Sequence, residues 1–123
     1  MELRIVALIF GIAFLGAGIA WYLPIFYGNN GLLLGLFEVD PMHNMVHLAS
    51  GLIALVAASI SSRLSRLYLV VFGFIYASLG IAGFIMPEQF LSMHFNMADH
   101  ALHVVLGLVA LILGLSLKVP AGE

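Results

Sequence analysis

The chain has 123 residues, 63% of them hydrophobic and 8% charged, with a mean hydropathy of +1.18. A water-soluble domain of this size carries roughly 25% charged residues, so this composition cannot cover a water-facing surface and implies an integral protein of the lipid bilayer. A net charge of -2 with four Lys and Arg argues against a nucleic-acid partner, and the absence of Cys excludes disulfides, thiolate metal sites and covalently attached haem.

The first apolar run, residues 5–27, is long enough to cross ~30 Å of hydrocarbon. Arg4 followed by an apolar stretch resembles a signal peptide. The run continues, however, to Trp21 and Tyr22, which suit an interfacial anchor, so it is read as a retained helix that Pro24 kinks or ends. Ala7, Gly11, Gly16 and Ala20 are small residues spaced for close helix contact. Gly28-Asn29-Asn30-Gly31 signals a turn, and residues 32–37 suit one or two helical turns lying in the interface.

Asp40 followed by Pro41 predicts a helix start, with Asp as N-cap and Pro at the first helical position. The second span is expected over 41–60, residues 61–66 form a polar link, and a third span follows over 67–86. Pro87-Glu88-Gln89 opens a second loop with interfacial Phe90, Leu91, Met93 and Phe95. Asn96 caps a fourth span over 97–117. The predicted fold is an all-α, four-helix transmembrane bundle in a single domain.

Two stretches match at an offset of 56 residues: His47 falls on His103, Gly51 on Gly107, Leu52 on Leu108, Ala54 on Ala110 and Leu55 on Leu111. Gly18-Ile19-Ala20 likewise echoes Gly80-Ile81-Ala82. The bundle therefore reads as two parallel two-helix repeats, about 1–62 and 63–123, related by an axis along the membrane normal. Arg4, Arg63, Arg66 and Lys118 all fall on one side of this arrangement. The positive-inside rule then places both termini in the cytoplasm and both long loops outside a bacterial or archaeal cytoplasmic membrane.

The chemistry concentrates at the heads of the second and fourth spans. His43 and His47 are four apart, hence one turn apart on one helical face, and Asp99 and His103 repeat the spacing. If the repeats face each other, three imidazoles and a carboxylate converge just below the outer surface. Such a set suits a divalent Zn, Cu, Ni or Fe ion. Asn44 and His100 point about 100° away and are assigned to support the site or face the loops. His94 and Glu38, matched at the same offset, are assigned to cover it.

Competing readings stay open. The same groups can pin the two halves by hydrogen bonds, leaving a structural or accessory protein that associates with itself or with a larger membrane complex. His47 and His103 can also serve a redox or proton-relay component with quinone or haem b. Haem ranks below a metal ion, because no Arg or Lys lies on the outer side to meet propionates and a compact bundle leaves little room. Met42, Met45, Met93 and Met97 suit soft Cu(I) ligation or gap filling. Ser50 is read as packing. No phosphate loop, Ser/His/Asp triad or zinc-protease motif is present, which argues against an enzyme.

Asp40-Pro41-Met42-His43-Asn44-Met45-Val46-His47 and Gly51, together with Asn96, Asp99, His103 and Gly107, resemble a family of small bacterial four-span membrane proteins catalogued as a domain of unknown function. The likeness rests on a Pro-x-His-Asn-x-x-His stretch and an Asn-x-x-Asp-x-x-x-His stretch. It implies a four-helix bundle in a bacterial or archaeal cytoplasmic membrane, and no particular chemistry.

Overall fold

The computed structural model of the chain describes residues 1–86, 89–90 and 93–123. Four helices dominate it: α1 (Glu2–Ala20), α2 (Pro41–Ile60), α3 (Ser62–Gly83) and α4 (Met97–Ser116). All four are long and apolar enough to cross a bilayer, as a multi-pass membrane protein requires. Their outer faces carry exposed Ile12, Leu52, Phe74, Ile112 and Leu115, among others. This is the surface that lipid covers.

Three boundaries differ from the sequence expectation. First, α1 stops at Ala20 rather than Tyr27, and Pro24–Phe26 forms a separate 3₁₀ turn. Hydropathy alone continues through Leu23 and Ile25, but Pro24 lacks the N–H that a continuing helix needs. Trp21 and Tyr27 fix the exit: the Trp21 indole donates to the Val39 carbonyl and the Tyr27 hydroxyl to the Trp21 carbonyl. Second, residues 32–37 form tight turns bridged from Leu33 to Tyr27 and Phe37, not helix. Leu34 and Gly35 take left-handed backbone there, at φ 53° and 73°. Third, most of the expected polar link is helix. Only Ser61 lies between α2 and α3, and its hydroxyl accepts the Leu64 N–H to cap α3.

In the second long loop, Gln89–Phe90 pairs antiparallel with Met93–His94. The expected loop residues Pro87, Glu88 and Leu91 lie outside the described residues.

The helices pack as two tight pairs, α1 with α2 and α3 with α4, joined by looser α1–α3 and α2–α3 contacts. α1 buries Leu3, Ala7, Gly11, Phe14 and Gly18. The expected small-residue stripe is thus only partly used, and Gly16 faces open space. Glycine sets the closeness of the pairs. A Cβ at Gly51 would stand 2.8 Å from the Leu15 nitrogen and 3.0 Å from the Gly11 carbonyl oxygen. One at Gly107 would collide with the Ala77 backbone and stand 2.7 Å from the Gly73 carbonyl oxygen. Such backbone approach is how apolar helices associate where lipid removes the hydrophobic drive.

At the opposite end from the histidines, arginines close the helix C-termini. Arg4 donates to the carbonyls of Ala58 and Ser59, and Arg66 to that of Leu117. Each guanidinium satisfies carbonyls that have no partner within the helix. The same alternation of helix direction puts Arg63 and Lys118 at this end.

Candidate functional site

α2 begins at Asp40, whose carboxylate accepts the His43 N–H at 2.9 Å. α4 begins at Asn96, whose amide oxygen accepts the Asp99 N–H at 3.0 Å, while Asp99 accepts the Asn96 N–H at 2.8 Å, a reciprocal capping box. These caps fix the start of each helix and therefore the direction of every side chain in its first two turns.

Bonds between the halves are traded across the bundle. The Glu38 N–H, from the loop before α2, donates to Asp99 at 3.1 Å. The His94 N–H, from the loop before α4, donates to Asp40, and the His94 ring lies 3.4 Å from the same oxygen. Asn96 also donates to the Leu36 carbonyl at 2.8 Å. For Asp40, burial pushes the pKa up, but hydrogen bonds from the His43 and His94 N–H groups and the His94 ring outweigh it and hold the carboxyl below its ordinary 3.8.

Beneath these caps the structure brings His43, His47 and His103 together. One ligand nitrogen from each lies within 4.8 Å of the others. The ring centroids are 4.4 Å apart for His43–His47, 5.5 Å for His43–His103 and 6.3 Å for His47–His103. His43 and His103 are 2% and 3% exposed. Both ring nitrogens of His43, and Nδ1 of His47 and of His103, are buried without a hydrogen-bond partner. Leaving a buried polar atom unpartnered costs about 1–3 kcal/mol, so this set carries unmet bonding capacity.

The other expected site residues fall elsewhere. Asp99 is not among the ligand atoms that share the 4.8 Å group, and its Oδ2 is occupied by two backbone N–H groups at the helix head. Asn44 turns to α1 and donates to the Gly18 carbonyl at 3.2 Å. His100 is buried against Gly83, with its ring 5.6 Å from Phe84. Neither bonds the cluster. His94 and Glu38 reach the heads of the helices, as just described, and brace the caps over the cluster.

Aromatic groups wall the site: Phe95, expected in the interface, is instead buried against the histidines, and Phe14 and Tyr76 were not expected there. Phe95 is 4.6 Å from His43 and 5.5 Å from His103 between ring centroids. Tyr76 is 5.5 Å from His103, and Phe14 is 5.7 Å from His47 and stacks on Tyr76 at 5.1 Å. Ser50, expected only to pack, shares a 2.7 Å hydrogen bond with the Tyr76 hydroxyl. The signal for Phe14 and Tyr76 was available: they occupy equivalent places in the Gly-rich first and third helices, at the 62-residue offset of Gly18 and Gly80.

A family model for a domain of unknown function, DUF4383, matches residues 4–116. The chain belongs to this family. The match spans all but the first two residues of α1 and the whole of α2 to α4, so the histidine cluster and both caps fall inside it. No curated protein and no solved structure matches the chain.

Proposed function

We propose that this member of the family holds a divalent metal ion through His43, His47 and His103, near the extracytoplasmic face of a bacterial or archaeal cytoplasmic membrane. The observation that carries the reading is the set of buried imidazole nitrogens with no partner, converging from α2 and α4. Pinning the two halves does not need them, because Asp40 and Asp99 already accept N–H groups from the opposite loops. Zn–N bonds of about 2.0–2.1 Å put tetrahedral ligand nitrogens about 3.3 Å apart, so rotations of about 1 Å at the ring close the set. Imidazole donors without thiolate suit Zn, Cu, Ni or Fe. Three protein ligands leave a fourth position for an exchangeable group, and this replaces the carboxylate that Asp99 keeps at its cap.

The two-repeat organisation belongs to the same proposal. It is supported by matched contacts: Gly51 on Gly11 and Leu15 against Gly107 on Gly73 and Ala77, and Arg4 against Arg66 at the helix ends. The four basic residues gathered at one end support cytoplasmic termini.

The test is elemental analysis of the untagged protein purified in detergent, beside a His47→Ala, His103→Ala variant. Stoichiometric metal that is lost in the variant is the expected result. A folded protein that stays metal-free after loading with Zn, Cu, Ni and Fe in turn would sink the proposal and leave an accessory protein whose histidines only fill space.

A further inference from the structure

A cleft of ≈ 290 Å³ runs between α1 and α4 down to His47 and His103. Its walls are Phe10, Ala13, Phe14 and Leu106, and among the described residues the two histidines are its only ionisable groups. The rim residues Ile9, in the middle of α1, and Leu102, in the second turn of α4, are exposed on the sides of two apolar helices, so the mouth opens sideways toward hydrocarbon. Whatever reaches the imidazoles by this route comes from within the bilayer.

From this geometry we infer that the cleft binds the head of a membrane-soluble quinone, with a carbonyl oxygen directed at the imidazoles. Three observations select that chemistry. Without a bound metal the occupant is uncharged, because the Arg and Lys residues sit at the other end, with Arg4 and Arg66 engaged on helix carbonyls; a phosphate or carboxylate head would enter a nearly dry site with no cationic side chain to meet it. It carries a hydrogen-bonding oxygen, because Nδ1 of His103, a residue 3% exposed, and Nδ1 of His47 have no partner, and a neutral imidazole offers one donor and one acceptor. It is ring-sized, because Phe10 and Phe14 line a cleft of ≈ 290 Å³, just under the ~300–1,000 Å³ of ligand pockets and too small for a two-chain lipid. The isoprenoid tail stays in the bilayer beyond Ile9 and Leu102.

This inference goes beyond metal binding and is argued for the metal-free protein, in which Nδ1 of His47 and of His103 are unclaimed. A histidine that ligates a metal through one ring nitrogen keeps the other for a hydrogen bond.

The experiment uses the full chain in nanodiscs of saturated phosphatidylcholine, titrated with decyl-benzoquinone in equilibrium dialysis, with metal content read on the same samples. Saturable binding of about one quinone per chain is expected. Ala13→Phe, which fills the cleft without touching a histidine, weakens it at least tenfold, while Val105→Phe, on an exposed face of α4, leaves it unchanged. Leu106→Trp serves as a second cleft-filling variant should Ala13→Phe fail to elute as folded protein. Partition that never saturates, equal affinity in the filled variants, or displacement by decanol as effective as by quinone would each overturn the assignment, the last by revealing a groove for any alkyl chain. Quinone binding with no metal, or metal with no quinone binding, separates the two proposals.

Discussion

Asp40 and Asp99 stand at equivalent helix heads, and each joins a cap to a bond from the opposite half. The carboxylate is stabilised by donors that protonation would weaken, and Asp40 therefore links stability to pH. Its pKa is lower folded than unfolded. Its contribution is accordingly complete above the unfolded value of about 3.9 and is lost as pH falls through the folded value. The difference in thermal midpoint between the parent protein and Asp40→Asn, measured in detergent, should be constant near neutral pH and shrink below about pH 4. Asp40→Asn should lower the neutral midpoint; a difference that does not shrink in acid would assign the pH dependence to other groups. Ser50 makes a second residue-scale case. Ser50→Ala leaves the buried Tyr76 hydroxyl without its 2.7 Å partner, a loss of about 1 kcal/mol by the scale of hydrogen bonds between membrane helices, measurable by equilibrium unfolding in SDS-containing micelles.

Between elements, glycine placement decides which helices can touch. Gly107→Ala puts a methyl group into the Ala77 backbone, an overpacking cost of about 1–3 kcal/mol that exceeds the propensity gain of about 1 kcal/mol from replacing Gly in a helix. Gly16→Ala meets open space and should be neutral or slightly stabilising. The unfolding midpoint should fall for Gly107→Ala and stay level or rise for Gly16→Ala. The helix heads were legible in the sequence, because Asp40-Pro41 and Asn96 are local signals that need nothing from the rest of the chain. The start of α3 was not: Ser61-Ser62-Arg63 reads as a polar link, and only the Ser61 cap and the engagement of Arg66 on Leu117 reveal that it is helical. The site was half legible for a related reason. Spacing of four residues places His43 with His47 on one face, and the match at the 56-residue offset pointed to His103, which the fold brings to them. The same spacing puts Asp99 with His103, yet a residue at the third helical position is also where a capping box draws a carboxylate back to the helix start. Two local rules competed for Asp99, and the cap won because it satisfies two backbone N–H groups at once.

At the scale of the molecule, the histidine end and the arginine end are chemically opposite. The His end carries Glu38, Asp40, His94 and Asp99 and, among the described residues, no Lys or Arg; the other end carries Arg4, Arg63, Arg66 and Lys118. Orientation in the membrane therefore determines whether the proposed metal meets the exterior or the cytoplasm. The chain contains no Cys, so single-cysteine labelling has no background. Asn30→Cys, in the exposed turn after the 3₁₀ segment, and Ser61→Cys, in the α2–α3 junction, lie at opposite ends of the bundle. In intact spheroplasts a membrane-impermeant maleimide should label Asn30→Cys and spare Ser61→Cys until the cells are lysed. Because Ser61 also caps α3, Glu2→Cys provides an independent marker of the same end and should follow Ser61→Cys. The reverse pattern would put the histidines at the cytoplasmic face, where the metal would be drawn from the cell's interior pool. The cleft between α1 and α4 would still open to lipid in that case, because its mouth lies along the bundle rather than at either end.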